Sequence, residues 1–460
     1  MLTYSFSDIG SESLYEHLYG CIKNDILSGK LRPGIKLPSK RTFAKNLGIS
    51  TITVENAYAL LVSEGYAYSI PKKGYFVSDV NISIPEAINA GEEVTQEYFA
   101  DFASNNTLHE LFPFTTWARI MRSVLSERQP ELMQKSPGGG IAQLRSAISE
   151  HLYQYRGMRV QPSQIIIGSG TEYLYGLIIQ LLGHEKIFAV EEPGYSKIAK
   201  VYEANEVEIR YVPLDENGIN VAALKDSGAD ILHISPSHHF PTGIVTPISR
   251  RYELLGWAAE RETRYIIEDD YDSEFRLGGR PIPPLRSIDV SDKVIYMNTF
   301  TKSLASTIRI SYMVLPRTLA ELFYKKLAFY SCTVSNFEQY TLMEFINGGH
   351  FGNHINRLRR YYREERDELL KAIENNPVLR GADIFEKDSG LHFLMRLDCG
   401  KPDDELIRDA HRLGINISCL SQYYHNNEKA PGGVVVINYS GIDKEKIPEA
   451  VRLLGLLNTN

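Results

Sequence analysis

What the chain lacks narrows it first. Cysteine is scarce: Cys21, Cys332, Cys399 and Cys419 stand far apart, with no CxxC pair and no metal-ligand spacing. That distribution excludes a disulfide framework and fits reduced thiols in a cytoplasm. No apolar run reaches the roughly 18 residues a membrane helix needs, so no membrane span is expected. The opening Met-Leu-Thr-Tyr-Ser-Phe-Ser-Asp has no basic segment followed by an apolar core. No signal peptide is expected, therefore, and the expected location is cytoplasmic. A global basic field is missing too: the formal net charge is −7, so bulk charge draws the chain to neither nucleic acid nor membrane. There is no Ser/His/Asp motif and no internal repeat. What is present is 43% hydrophobic residues over 460 positions, enough for large cores and about three folding units.

In the first eighty residues, Leu14, Leu18, Cys21, Ile22, Ile26 and Leu27 recur at helical spacing, with Ser11 or Ser13 as cap. A second short helix is expected over 38–47, with Phe43, Ala44 and Leu47 inward. Gly48-Ile-Ser50 makes a tight turn, and Ser50 caps a third helix over 51–64. Two short helices around a Gly-containing turn form the helix-turn-helix pattern, which also serves as a plain packing module. The following Gly65-Tyr-Ala-Tyr-Ser-Ile-Pro-Lys-Lys-Gly-Tyr-Phe-Val77 reads as a hairpin with a basic tip.

Residues 11–78 resemble the winged helix-turn-helix of GntR regulators through Leu37-Pro-Ser-Lys-Arg41, the Ser50-Thr-Ile-Thr-Val54 helix start and the Lys-Lys-Gly-Tyr-Phe-Val wing. A third helix entering the major groove presents its first residues to base edges, here Ser50, Thr51 and Thr53. Lys40, Arg41, Lys72 and Lys73 are placed for backbone phosphates of double-stranded DNA. Nine basic and seven acidic residues give residues 1–80 a net charge of only +2, so two modules are expected to act together. The division expected is a reader over 1–78, a flexible connection over 79–98 and a body over 99–460.

In the body, helical stretches such as 116–127 and 140–155 alternate with short apolar runs at 164–168, 186–190, 231–234, 264–268, 293–298 and 310–315. That alternation predicts an α/β fold with a mainly parallel sheet, whose ligands lie at the carboxyl ends of its strands. The run at 293–298 leads into Thr299-Phe-Thr-Lys302, with Arg309 seven residues on. A lysine there forms a Schiff base if its neighbours depress its pKa; otherwise it is an ordinary solvated lysine. Thr299, Thr301 and Arg309 offer hydroxyl and guanidinium contacts to a phosphate. Gly168-Ser-Gly-Thr171 opens a helix, and its amides with the hydroxyls of Ser169 and Thr171 suit a phosphate, although such turns are also purely structural. Tyr195 is either a stacking ring or a turn residue. Ile267-Glu-Asp-Asp-Tyr271 supplies an aspartate able to pair with a protonated pyridine nitrogen and a tyrosine near it; the same cluster is also compatible with a divalent cation.

Taken in order, these pieces over 99–458 resemble the fold-type I, aspartate-aminotransferase-like enzymes that use pyridoxal phosphate (PLP). The resemblance implies Lys302 as the Schiff-base lysine, Asp269 on the pyridine nitrogen and Tyr271 on the ring oxygen. It implies Ser169, Gly170, Thr171, Thr299, Thr301 and Arg309 on the phosphate, and Tyr195 on the ring face. A GntR-type reader joined to such a body is similar to the MocR subgroup of bacterial regulators. Glu268-Asp-Asp-Tyr-Asp-Ser-Glu-Phe275, Ser237-His-His-Phe-Pro-Thr-Gly243 and Gly390-Leu-His-Phe393 carry that similarity. It implies a domain-swapped homodimer, an operator and a small-molecule effector, PLP itself or an amine or amino acid; the alternative is an active aminotransferase with an accessory N-terminal module. Three departures stand out. Phe240 replaces the usual ring-oxygen asparagine, Gln134 stands where a tyrosine reaches the neighbouring subunit, and no arginine occurs between Arg412 and Arg452 to clamp an α-carboxylate.

Overall fold

The computed structural model describes residues 2–6, 13–79, 97–104, 108–276, 282–388, 390–427 and 430–458. The chain divides into two compact units, 1–95 and 96–460. Most of the expected connection, residues 80–96, lies outside the described residues.

In the first unit, α1 (Leu14–Leu27), α2 (Lys40–Leu47) and α3 (Thr51–Ser63) are followed by β1 (Ala67–Ile70) and β2 (Gly74–Val77). Helices α2 and α3 each begin where a hydroxyl satisfies an orphan amide. Ser39 accepts from the Thr42 amide at 3.2 Å, and Ser50 accepts from the Thr53 amide at 3.0 Å. Gly48 ends α2 at φ +68°, a left-handed conformation that costs glycine nothing and sets up the tight turn into α3. Leu18, Ile22, Phe43, Val54, Tyr58 and Leu61 bury together as one core. The antiparallel pair β1–β2 matches Ala67 with Val77 and Ile70 with Gly74, which puts Lys72 and Lys73 at the hairpin tip.

The second unit contains β3 (Ala100–Asp101), β4 (Ile165–Ser169), β5 (Ile187–Glu192), β6 (Glu208–Asp215), β7 (Gly218–Ile219), β8 (Ile231–Ile234), β9 (Tyr265–Asp269), β10 (Val294–Thr299) and β11 (Ile310–Val314). Eight of these strands form one sheet in the order β4-β11-β10-β9-β8-β5-β6-β7. The centre, β10-β9-β8-β5-β6, is parallel; β11 runs antiparallel to both its neighbours, as β7 does to β6. Strands buried on both faces read as continuous apolar runs, which is why these segments are visible in the sequence. Side chains alternate by face: Ile165 and Ile167 enter one core, while Ile166 enters the other with Ile295, Met297 and Met313.

The helices expected over 116–127 and 140–155 form as Phe114–Glu127 and Ala142–Arg156 and cover the first face. Toward the C-terminus, β12 (Ile384–Phe385), β13 (His392–Arg396), β15 (Ser418–Cys419) and β16 (Val434–Asn438) make an antiparallel sheet ordered β12-β13-β16-β15, and β14 (Ile415–Asn416) pairs with β3. No helix among the described residues is long and apolar enough to cross a membrane.

Candidate functional site

The carboxyl ends of the parallel strands open into a cavity of about 650 Å³. Nine of the ten residues singled out in the body line it: Gly170 and Thr171 after β4, Tyr195 after β5, Asp269 and Tyr271 at the end of β9, and Thr299, Thr301, Lys302 and Arg309 between β10 and β11. Ser169 is not among the lining residues; its backbone amide donates to the Thr333 hydroxyl at 2.9 Å.

Lys302 lies three residues past the end of β10, where Thr299, Thr301 and Ser311 form a hydroxyl chain. The Thr299 hydroxyl donates to Thr301 at 2.9 Å, and the Ser311 hydroxyl donates to Thr299 at 2.8 Å. Burial pushes the Lys302 ammonium down to about 8, opposed by the Asp272 carboxylate. A lysine so placed is partly neutral at physiological pH and therefore nucleophilic, which a solvated lysine is not.

The acidic run at the end of β9 separates into distinct partners. Asp269 accepts from the Tyr175 hydroxyl at 2.7 Å, and its other oxygen, Oδ1, is buried with no hydrogen bond. Asp270 pairs with Arg156 at 2.5 Å and accepts from the Tyr296 hydroxyl at 2.7 Å. Asp272 meets His238 Nδ1 at 2.6 Å. Three carboxylates with three separate partners do not converge on one cation. His238 and His239 also diverge, the latter bonding the Thr242 hydroxyl at 2.7 Å.

Several cavity residues are not marked by any sequence motif. Glu172, in the first turn of the helix Thr171–Leu182, holds both Lys197 and Arg309. Tyr175, one helical turn after Thr171, is the Asp269 partner, a relation that i,i+4 spacing makes readable. Glu191, at the end of β5, is buried and pushed up to about 8 by desolvation; it accepts from the Ser235 amide at 2.9 Å. An aromatic wall closes one side. Phe240 meets the rings of Tyr195 and Tyr423 edge-on, with centroids at 5.8 and 5.1 Å, and Tyr211 stacks on His425 at 4.0 Å.

In the first unit, Thr51 and Arg41 are exposed, as are Lys72 and Lys73 at the hairpin tip. The hydroxyls of Ser50 and Thr53 bond each other at 2.8 Å, so both serve the helix cap. Lys40 is paired with Glu55 at 2.5 Å. Ile52, which no sequence pattern marks, stands 68% exposed in the first turn of α3, an apolar side chain at the position from which a recognition helix reads bases.

Comparison with known proteins agrees with this division. Residues 14–77 match the family of bacterial regulatory proteins, gntR family, and residues 99–454 match aminotransferase class I and II. A Bacillus subtilis protein described as the HTH-type transcriptional regulator YdeL is 36% identical over 447 residues, covering 96% of each chain. The probable rhizopine catabolism regulatory protein MocR of Rhizobium meliloti is 29% identical, covering 96% of this chain and 93% of its own. The solved alpha-aminoadipate aminotransferase LysN of Thermus thermophilus, complexed with N-(5'-phosphopyridoxyl)-L-leucine, is 26% identical with a TM-score of 0.67, covering 78% of this chain and 91% of its own. With a gntR-family unit at its start and an aminotransferase class I and II unit over most of its length, the chain belongs to the MocR-type GntR transcription regulators.

Proposed function

We propose that this regulator binds operator DNA through a reader over residues 1–78 and holds PLP in a body over 99–460, with 79–98 as the connection. The effector sensed there is PLP itself or an amine or amino acid. Aminotransferase class I and II proteins bind pyridoxal phosphate, and the cavity residues fit that group. Asp269 keeps a buried oxygen unbonded in the cavity, matching a protonated ring nitrogen. Gly170, at φ +90°, has the Arg309 guanidinium so close that any Cβ would strike it, which suits a loop that closes on a phosphate through backbone amides. On this reading Lys302 is the attachment point, Tyr271 faces the ring oxygen and Tyr195 covers the ring. Gly170, Thr171, Thr299, Thr301 and Arg309 hold the phosphate. PLP, when bound, supplies an aldehyde carbon that amines can reach.

The carrying observation is the coincidence, in one chain, of a lysine that burial brings to about 8, sharing its cavity with Asp269, and a gntR-family unit. A ligand shifts regulation only if it binds two arrangements of the molecule unequally. With a net charge of just +2 over residues 1–80, tight binding calls for two readers, hence a homodimer, with each reader swapped toward its partner's body. A cytoplasmic setting suits four free cysteines. The active-enzyme alternative suffers from β16: its five residues are Val, Val, Val, Ile and Asn, all buried, and none is an arginine for a substrate carboxylate.

The test is spectroscopic. Purified protein mixed with PLP develops a visible band that Lys302→Ala abolishes, and footprints on DNA beside its own coding region change on adding PLP or an amine. A colourless wild type, or a footprint indifferent to both, overturns the proposal.

A further inference from the structure

Behind Tyr271 lies a buried polar group with no part in the reading above. His238 Nδ1 approaches Asp272 Oδ2 at 2.6 Å, and both side chains are 5% exposed. The Tyr271 hydroxyl lies 3.3 Å from the same nitrogen. Gly390, at φ +64°, backs this pair so closely that a Cβ there would overlap His238 and crowd Asp272. On the far side the His238 ring packs on His392 at 4.7 Å, whose Nε2 bonds the Pro241 carbonyl at 3.1 Å. His392 is held neutral by burial first and by His238 second.

The geometry restricts where protons sit. An ionised Asp272 is only an acceptor, so a contact of 2.6 Å requires the proton on His238 Nδ1. That N–H then points between the carboxylate and the Tyr271 oxygen. The phenol accepts from the imidazole; its own proton has the Asp272 carboxylate, already taken by the His238 N–H, on one side and the cavity on the other. If Asp272 carried no charge, the tautomer would no longer be fixed. His238 Nδ1 could then accept, and the Tyr271 proton would be drawn back to it.

We infer that Asp272, acting through His238, is a positioning residue for Tyr271: it fixes the imidazole tautomer that aims the phenol proton at the ring oxygen of a cofactor attached at Lys302. The inference rests on the PLP reading above. It also bears on the asparagine that Phe240 replaces, because a phenylalanine donates nothing and the orientation of the Tyr271 phenol is decided from behind.

Two effects of Asp272 oppose each other and so can be told apart. As a nearby negative charge it favours the protonated form of the group at Lys302, which His392 also faces; neutralising it by charge alone lowers the pH midpoint of the cofactor's absorbance change. As the anchor of the tautomer it keeps a donor on the ring oxygen, which eases proton loss from the adjacent nitrogen; losing the donor raises the midpoint.

The experiment is a pH titration of visible absorbance for PLP-loaded wild type, Asp272→Asn, Tyr271→Phe and the double variant, with His238→Asn as a second route to the same loss. The expected result is a rise of about one pH unit in His238→Asn and Tyr271→Phe, a smaller rise in Asp272→Asn because the lost charge pulls the other way, and no rise in the double variant beyond that of Tyr271→Phe. A midpoint that falls or stays put in Asp272→Asn overturns the inference, as does an additive rise in the double variant. A wild type that never colours removes the PLP reading itself, a different failure from a coloured wild type whose variants titrate unchanged.

Discussion

Arg309 Nη2 donates to Glu172 Oε2 at 2.7 Å, and the same carboxylate takes the Lys197 ammonium. Glu172 lies in the first turn of a helix, where negative charge is favoured by the aligned amides. Those amides and that guanidinium are also what a phosphate needs. If the phosphate of PLP binds here as proposed, the chain carries its own competitor for it, and the phosphate displaces Glu172 from Arg309, leaving Lys197 as the carboxylate's remaining partner. Glu172→Gln removes the competing charge. All three groups are at least a quarter exposed, so solvent screening holds the gain to about 1 kcal/mol, a roughly fivefold to tenfold tighter Kd for PLP. Lys197→Ala removes the fallback partner and weakens PLP. Equilibrium dialysis of both variants decides the matter; weaker binding by Glu172→Gln refutes the competition.

The reader makes a prediction in salt. Arg41, Lys72 and Lys73 are exposed, whereas Lys40 is held by Glu55. Each DNA phosphate left without its cation lowers the magnitude of the log K against log salt slope by about 0.9. Arg41→Ala and Lys72→Ala should each show that change and weaken all sequences alike. Lys40→Ala should show less of it. Thr51→Ala and Ile52→Ala should leave the slope alone and alter which bases are preferred. Fluorescence anisotropy across a salt series measures all of these; an unchanged slope in Arg41→Ala takes that residue off the phosphate.

How much of this is open to a reader of the sequence depends on whether a residue's partner is local. The strands β4, β8, β9, β10 and β11 are legible because burial on both faces makes them unbroken apolar runs. By contrast β6, Glu-Ile-Arg-Tyr-Val-Pro-Leu-Asp, lies toward the sheet edge, mixes polar residues into its run and contains a proline, so it does not stand out. Lys302, Asp269 and Tyr271 are legible because each stands at or just past the end of such a run. Glu172 is not: nothing local distinguishes it from any first-turn glutamate, and its meaning comes from Arg309, 137 residues away. Ser169 shows a contact that its motif does not announce. Its motif suits a phosphate, yet Thr333 claims its amide from a distant segment. The reader's hydroxyls show the same tension, since Ser50 and Thr53 suit both a helix cap and base reading, and capping occupies them.

Stability carries its own pH signature. Glu365, on the helix His350–Asn375, is fully buried, and neither carboxylate oxygen has a hydrogen-bond partner. Burial pushes its pKa up to about 9. Between the ordinary carboxyl range near 4.5 and that value, the unfolded chain releases a proton that the folded chain keeps, so stability falls as pH rises through this window. Glu365→Gln keeps the shape and removes the titration. Urea midpoints should show the variant gaining on wild type by at least about 2 kcal/mol between pH ~5 and pH ~8. A difference that stays constant over that range would show that Glu365 ionises normally in the folded protein.

The aromatic wall bears on what the cavity accepts. Tyr195, Phe240 and Tyr423 meet edge-to-face along one side, and no arginine lies between Arg412 and Arg452. An α-carboxylate entering this space finds Arg309 engaged with Glu172 and, among the described residues that line it, no second guanidinium to receive it bidentately. An apolar or aromatic substituent finds ring faces and edges. A charge-assisted bidentate contact contributes about 1.5–3 kcal/mol, so its absence removes the roughly ten- to hundredfold preference that such a clamp gives amino acids over the corresponding amines. Each amino acid tested beside its decarboxylated amine should therefore perturb the PLP absorbance at similar or higher concentration than the amine, and Phe240→Ala should weaken the amine bearing an aromatic ring more than a small aliphatic one. A preference of about tenfold or more for the amino acid across the panel would mean that a carboxylate-binding group enters the cavity from elsewhere, the neighbouring subunit being the first place to look.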